Sequence, residues 1–169
     1  TSFAADASGD LAPLPLELPP AGYLGTPKNM PPDTTAEKPS GKTRPPFLAP
    51  TGVKNVALGK PATSSDPSPI TGELKQITDG KKDAFDENVV LLRKRTQWVQ
   101  IDLQEQYAIH VILIWHEHKM PVVYRDVIVK VSDDPEFKTG VKSVFNNDQD
   151  NSSEKGVGTD REYFEGYEG

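Results

Sequence analysis

Proline is distributed very unevenly along this sequence. The chain has 169 residues and 16 prolines, and 11 of these prolines fall within the first 50 positions. Proline has no backbone amide hydrogen and disfavours the helical conformation in the preceding residue, so neither a helix nor a central strand can run through this stretch. Polyproline II and open turns remain available. We therefore expect an extended arm over residues 1–52 and one folded domain of ordinary size over residues 53–169.

Large apolar side chains are frequent in the arm, although a simple spacer has no need of them. The residues are Leu11, Leu14, Leu16, Leu18, Tyr23, Leu24, Met30, Phe47 and Leu48. A proline-rich segment cannot build a core of its own, so these side chains need a surface, either on their own domain or on another protein. At about 3.1 Å per residue the arm reaches far beyond one domain. We expect a second protein chain as its partner; a disordered linker is the alternative that composition alone favours.

Beyond Val53, short apolar runs alternate with turn residues such as Asp-Gly, Asp-Pro and Asn-Asn, which is typical of an all-β fold. The clearest runs cover residues 98–103, 108–115, 126–132 and 141–145. The run 108–115 is apolar on both faces, as a strand in a sandwich core would be. In the runs on either side of it, the alternating residues expected to face inward are Val99, Ile101, Leu103, Val127, Val129 and Val131. The pattern predicts an antiparallel β-sandwich or jelly roll.

Charge, cysteine content and hydropathy exclude several classes of function. The net charge of −6 opposes binding to nucleic acid, which needs a basic face. The absence of cysteine excludes disulfides and thiolate metal sites. No apolar stretch approaches the roughly 20 residues of a membrane span. The small residues from Thr1 to Ser8 are similar to those near a signal-peptidase site, so we expect export to the periplasm or to the extracellular side.

Five short motifs follow one another in the second part of the chain. They are Asn55 to Ser65 (NVALGKPATSS), Ile77 to Gly80 (ITDG), Trp98 to Leu103 (WVQIDL), Ile109 with Ile112, and Val131 to Asp134 (VSDD) with Phe137. In this order they resemble the discoidin, or coagulation factor 5/8 type C, domain of the galactose-binding-like superfamily. That family's motifs are commonly written N-x-A-x-x-K-P-x-x-x-S and W-x-Q-I-D-L. The resemblance implies a discoidin-like jelly-roll β-sandwich that acts as a binding module.

The sequence departs from this family near its carboxy-terminal end. The family usually finishes with an Arg-rich strand reading roughly R-Y-V-R-I and one further strand, and neither pattern occurs before Gly169. The resemblance therefore implies that Asp102 lacks the arginine it would normally face. We expect the closing strands to be absent from the domain, and either lost or supplied by another chain, because an open sheet edge needs cover.

The resemblance also places ligand recognition on loops at one end of the sandwich, here about residues 66–72, 83–96, 116–124 and 146–159. Sugar binding needs an aromatic face together with planar polar groups that bind hydroxyls. The side chains of this kind in the loops are Arg93, Arg95, His116, His118 and Tyr124. Ordinary loop polarity is the alternative interpretation.

Asp79 and Asp83 flank an Asp-Gly turn similar to the one that holds structural calcium in many sugar-binding relatives. Carboxylates and turn carbonyls are suitable calcium ligands, but Lys81 and Lys82 bring positive charge to the same turn. The alternatives are therefore a calcium site and a plain Asp-Gly turn.

No motif indicates catalysis. The sequence has no G-x-S-x-G, no phosphate-binding loop, and no Ser/His/Asp set that strand geometry would bring together. In an extended strand His110 would lie about 20 Å from His116, too far to share a metal ion with His116 and His118. We expect a non-catalytic accessory subunit of a larger assembly, whose arm wraps a partner and whose domain docks on neighbours. A secreted lectin-like module that binds carbohydrate is the alternative.

Overall fold

The computed structural model describes residues 10–19, 31–37, 45–119 and 122–164. Their regular structure is mainly β. The strands are β1 (Leu11–Pro13), β2 (Leu48–Pro50), β3 (Ala62–Ser64), β4 (Val99–Ile101), β5 (Val123–Tyr124), β6 (Ile128–Val131), β7 (Lys142–Asn146) and β8 (Tyr163–Phe164). Two short 3-10 helices, Leu74–Thr78 and Asp86–Asn88, lie between β3 and β4 in the chain.

The strands pair antiparallel in twos: β1 with β2, β3 with β4, β5 with β8, and β6 with β7. The longest pairing runs from Ile128 opposite Asn146 to Val131 opposite Lys142, with a bulge after Val129. The prediction of a mainly β, antiparallel fold is thus confirmed. Within the described residues the four sheets do not join into the two larger sheets of a jelly roll.

The β3–β4 pair joins two of the motifs on which the family resemblance rests. Ala62 lies opposite Ile101, and Ser64 lies opposite Val99. Val99 is 41% exposed and Ile101 is 36% exposed, although their alternation predicted that both face a core. A two-stranded sheet buries a face only where a second layer covers it, and alternation alone does not supply that layer.

Residues 108–115 form no strand, contrary to the prediction from their composition. Ile109, Ile112, Leu113 and Ile114 are between 37% and 44% exposed. A strand requires a neighbouring strand to exchange backbone hydrogen bonds, and none of the described strands pairs with this run. Apolar composition indicates that burial is favourable, but it does not provide the strand that would achieve it.

Buried residues in the described part of the chain are small or polar. Apart from Pro19 and Gly158, the buried apolar residues are Ala36, Ala49 and Ala84, and the buried polar ones are Asp66, Thr78, His118, Asn147 and Asp148. A folded domain normally buries Leu, Ile, Val and Phe side chains. Here twenty large apolar residues are at least 36% exposed, so the usual apolar core is not assembled from these residues.

Two parts of the proline-rich arm contact the same chain. β1 pairs with β2, so that Leu11 lies opposite Pro50, and residues 31–37 contact the carboxy-terminal region as described below. Leu14 is half-buried. The other described anchoring side chains keep 38–61% of their surface exposed; they are Leu11, Leu16, Leu18, Phe47 and Leu48. The predicted anchors Tyr23, Leu24 and Met30 lie outside the described residues, and a partner for the arm stays a prediction.

Candidate functional site

Asn147 connects several segments of the carboxy-terminal region, which we define as residues 122–164. The residue is 2% exposed, and its side chain accepts a hydrogen bond from the Val127 amide at 2.7 Å. It donates to the carbonyl of Tyr124 at 3.1 Å and to that of Arg161 at 3.5 Å. Asn147 follows β7 and thereby connects β7 to β5 and to the segments that precede β6 and β8. A buried amide with both ends satisfied fixes these segments relative to one another.

Asp148 closes the loop that follows. Its buried carboxylate accepts hydrogen bonds from the Ser152 amide at 2.9 Å, from the Ser153 amide at 3.0 Å and from the Ser153 hydroxyl. The Ser153 hydroxyl and these amides hold the pKa of Asp148 below its usual value. Gly158 lies so close to Asn146 that a Cβ atom would be 2.3 Å from the Asn146 carbonyl oxygen. Polar contacts and one close backbone approach therefore hold this region together.

Three rings of the same region form a cluster with His116. His116 stacks on Tyr124 with ring centroids 4.0 Å apart, Tyr124 stacks on Tyr163 at 5.6 Å, and Phe145 meets Tyr163 edge-on at 5.9 Å. His116 Nε2 lies 2.6 Å from the Tyr163 hydroxyl. Burial lowers the pKa of His116 to about 4, so its imidazole is neutral at pH 7. The structure thus brings together two of the predicted loop residues, His116 and Tyr124, with each ring packed against the other.

His118 is buried rather than presented on a loop. It is 1% exposed, and neither of its ring nitrogens has a hydrogen-bond partner. A buried polar group without a partner costs about 1–3 kcal/mol, so His118 destabilises the fold unless a partner reaches it. Because so little of its surface is accessible, His118 does not present a ring face to a sugar.

Arg93 closes a loop within the chain. Its guanidinium forms an ion pair with the buried carboxylate of Asp66, and its backbone amide donates to the same carboxylate at 2.8 Å. The Arg93 amide, together with that of Ser68 and the guanidinium, holds the pKa of Asp66 below its usual value. Arg95 is exposed and has a left-handed φ of 128°. Of these two predicted ligand-binding arginines, Arg93 therefore has a structural partner.

The two predicted calcium ligands accept hydrogen bonds within their own turns. Asp79 accepts from the Lys81 amide at 2.9 Å, and Asp83 accepts from the Asn88 side chain at 3.0 Å. The Asn88 side chain is the main reason why the pKa of Asp83 lies below its usual value. Calcium binding by Asp79 and Asp83 stays a prediction.

One group of three carboxylates comes together among the residues that the structure describes. Asp126, Asp148 and Asp150 place their oxygens within 4.8 Å of one another. The carboxylate of Asp148 already serves the Ser152 and Ser153 amides, and exposed acidic groups are common without a bound ion. The Asp148 carboxylate of this group therefore serves to hold the loop that contains Ser152 and Ser153.

Glu162 connects the arm to the carboxy-terminal region. Its carboxylate accepts hydrogen bonds from the Thr34 hydroxyl at 2.5 Å and the Thr35 amide at 2.9 Å, and Arg125 Nε lies 2.8 Å from it. The Thr35 hydroxyl accepts from the Glu162 amide at 3.1 Å and from the Gln149 side chain at 3.2 Å. Residues 33–35 therefore dock on their own chain rather than remaining free for a partner.

A second surface has the opposite character. We call residues 108–114 the apolar segment. Among the residues that the structure describes, no hydrogen bond joins the backbone of this segment to another residue. Its large exposed side chains are Ile109, Ile112, Leu113 and Ile114, and Ala108 and His110 are exposed beside them. Unpaired backbone groups beside exposed apolar side chains form a template for an additional strand, and such edges bind other chains.

Sequence reasoning placed Asn147 only in the predicted recognition loop 146–159 and missed Glu162. Nothing in their local pattern marks them, because each acts by contacting segments that are distant in sequence. For Glu162 the available signal was the adjacent Tyr163-Phe164 pair, which forms β8 and fixes where the carboxylate lies. The apolar segment was recognised from its composition, but it was expected inside the fold.

The part of the chain that the structure describes contains no helix long and apolar enough to cross a membrane. Comparison with known proteins gives no relative: no family model, no curated protein and no solved structure matches this chain.

Proposed function

We propose that this protein is a non-catalytic accessory subunit of a protein assembly, which completes its apolar core by contact with neighbouring chains. One observation carries the proposal: large apolar side chains are exposed across the described residues, while the buried ones are chiefly alanines and polar groups. Exposed apolar surface on this scale marks protein–protein contact or a tendency to aggregate. A discoidin-like arrangement of the strands belongs to the same proposal and rests on the five sequence motifs. Export to the periplasm or the extracellular side also belongs to it and rests on the small residues from Thr1 to Ser8.

The proposal revises how the arm takes part. Residues 33–35 and β1 are occupied by contacts with the same chain. Among the described residues of the arm that make none of these contacts, Leu16, Leu18 and Phe47 are 38%, 43% and 57% exposed. We expect a partner to contact these side chains rather than the docked residues around Thr35.

Affinity purification of the tagged full chain from the cells that produce it tests this role. The expected result is a partner in fixed stoichiometry, and a double Leu16→Asp, Leu18→Asp variant should lose it. Val157→Asp is the matched control, because Val157 is also exposed, at 68%, but lies outside the arm and the apolar segment. Recovery of the wild-type chain alone, with a cooperative unfolding transition and no dye-binding apolar surface, would contradict the proposal.

Carbohydrate binding is the second candidate function. The observation that favours it is the proximity of His116 and Tyr124, which supply an aromatic group and a polar group at one place. Titration with monosaccharides at millimolar concentration should then respond to Tyr124→Ala, and the exposed His110→Ala should bind as the wild type does. No binding at these concentrations would reject this function.

A further inference from the structure

The apolar segment forms a surface whose backbone groups lack partners. Each residue from Ala108 to Ile114 has one amide donor and one carbonyl acceptor, and among the described residues none of these groups is hydrogen-bonded to the protein. Only another extended backbone can form regular hydrogen bonds with such a row of amide donors and carbonyl acceptors. The partner of this segment is therefore expected to be a strand.

Charge distinguishes which strand fits. The chain as a whole carries a net charge of −6, yet residues 106–116 contain no Asp, Glu, Lys or Arg. Two copies of an acidic chain repel each other over most of their surfaces, whereas two copies of this segment meet without like charges in direct opposition. This stretch is thus suited to contact with a second copy.

Symmetry then limits the register. In an antiparallel pair related by a two-fold axis, one residue lies opposite its own copy, because neighbouring pairs alternate in hydrogen-bonding type. An axis at Val111 would place Glu105 opposite Glu117. An axis at Ile112 places Glu105 opposite Lys119 instead. These residues lie beyond the two ends of the paired strands, where opposite charges attract and like charges repel, so the axis at Ile112 is preferred.

The same register matches the side chains. With Ile112 on the axis, Val111 lies opposite Leu113 of the other copy, and Ile109 lies opposite Trp115. All four of these residues share one face of the new strand pair, which makes that face wholly apolar. Lys119 now pairs with Asp86 at 3.2 Å on the surface, a contact weak enough to exchange.

We propose that this protein self-associates through antiparallel pairing of residues 110–114 about a two-fold axis at Ile112. The second copy is one of the neighbouring chains of the proposed function, so the inference deepens that function and rests on it. A pair of five-residue strands buries less than a standard interface, so the dimer is weak and depends on concentration.

The absence of cysteine makes the register directly measurable, because each introduced thiol is the sole one in the chain. Mild oxidation of Ile112→Cys should give a disulfide-linked dimer. Val111→Cys and Leu113→Cys should each give little dimer alone and should cross-link when mixed, since these two residues lie opposite each other. Val157→Cys is the matched control, because Val157 is 68% exposed and therefore more open to random collision than Ile112 at 42%. Efficient dimerisation of Val111→Cys alone, or equal yields for Ile112→Cys and Val157→Cys, would overturn the pairing.

Sedimentation of the untagged full chain provides a second measurement that needs no cysteine. The mass should rise from monomer toward dimer as the concentration increases from about 1 to 100 μM, and Ile112→Lys should weaken association at least tenfold. Circular dichroism should show that this variant stays folded, because Ile112 is already 42% exposed. A wild type that stays monomeric throughout this range overturns self-association. The proposed function is tested by a different experiment and fails if affinity purification yields no partner of any kind.

Discussion

The carboxy-terminal region and the apolar segment differ in whether their backbone groups are hydrogen-bonded within the chain. In residues 122–164, buried Asn147 and Asp148 accept and donate hydrogen bonds that connect strands and close loops. In residues 108–114, every side chain except His110 is apolar, and the backbone has no protein partner among the described residues. The comparison teaches that hydrophobicity alone does not make a segment the core of its own chain. A short network of hydrogen bonds can fix the strands of one region, whereas an apolar run without a neighbouring strand stays exposed.

The largest expected effect comes from removing the amide at the centre of the polar network. Asn147→Ala leaves the Val127 amide and the Tyr124 carbonyl without this partner, and each unpaired buried group costs about 1–3 kcal/mol. We expect the free energy of unfolding to fall by about 3 kcal/mol, measured by urea denaturation. Asn55→Ala is the control, because Asn55 is exposed and accepts from Ala57 alone. Equal effects of the two substitutions would show that the network does not hold the region.

Acid should weaken the carboxy-terminal region through His116. Its pKa is about 4 in the folded protein, and an unfolded histidine has a pKa of about 6.5. The unfolded state therefore binds more protons between these values, and stability falls as the pH decreases from about 6.5 to about 4. The loss is on the order of 2–3 kcal/mol, since the ring is not fully buried.

Chemical denaturation at several pH values measures this loss. His116→Phe keeps a ring against Tyr124 but cannot titrate, so its stability should change less over this range than that of the wild type. His110→Ala should follow the wild type because His110 is exposed. Parallel curves for the wild type and His116→Phe would rule out His116 as the titrating group.

Truncation of a large side chain to alanine should reduce the free energy of unfolding more in the carboxy-terminal region than in the apolar segment. Phe145→Ala removes the edge contact with Tyr163 from a half-buried position and should cost about 2 kcal/mol. Ile112→Ala truncates a side chain that is 42% exposed and should cost less than about 0.5 kcal/mol in dilute, monomeric protein. Urea denaturation at low protein concentration provides both values. A larger cost for Ile112→Ala would mean that the apolar segment packs within its own chain.

The smallest expected effect is a local one at the docked arm. Glu162→Gln keeps the shape of the side chain but weakens its hydrogen bonds to Thr34 and Thr35. We expect local opening to become easier by about 1 kcal/mol, which corresponds to roughly fivefold faster hydrogen exchange at the Thr35 amide. Exchange at Val129 in β6 is the internal control and should not change. An unchanged rate at Thr35 would indicate that other contacts hold the arm.

Alternation and turn residues predicted part of this fold. The strands around Val99, Val129 and Ser143 lie where the sequence pattern places them. Strand pairing was not predictable for the apolar segment, since composition shows that Ile112 favours burial without showing which chain buries it. The contacts of Glu162 and Asn147 were not predictable either, because they arise only when distant segments meet. Of the predicted loop residues, His116 and Tyr124 do lie together, whereas His118 is buried and Arg93 binds Asp66.

The docking of Thr35 on Glu162 has a consequence during synthesis. The two residues are 127 positions apart, so the ribosome completes Glu162 about 6–25 s after Thr35 at ordinary rates of translation. Until Gln149 is synthesised, the hydroxyl and amide of Thr35 have none of their final partners, and another protein can bind there. A subunit already present could occupy the arm before the rest of the chain exists. Order of synthesis, as well as affinity, would then decide whether the arm folds back or joins its neighbour.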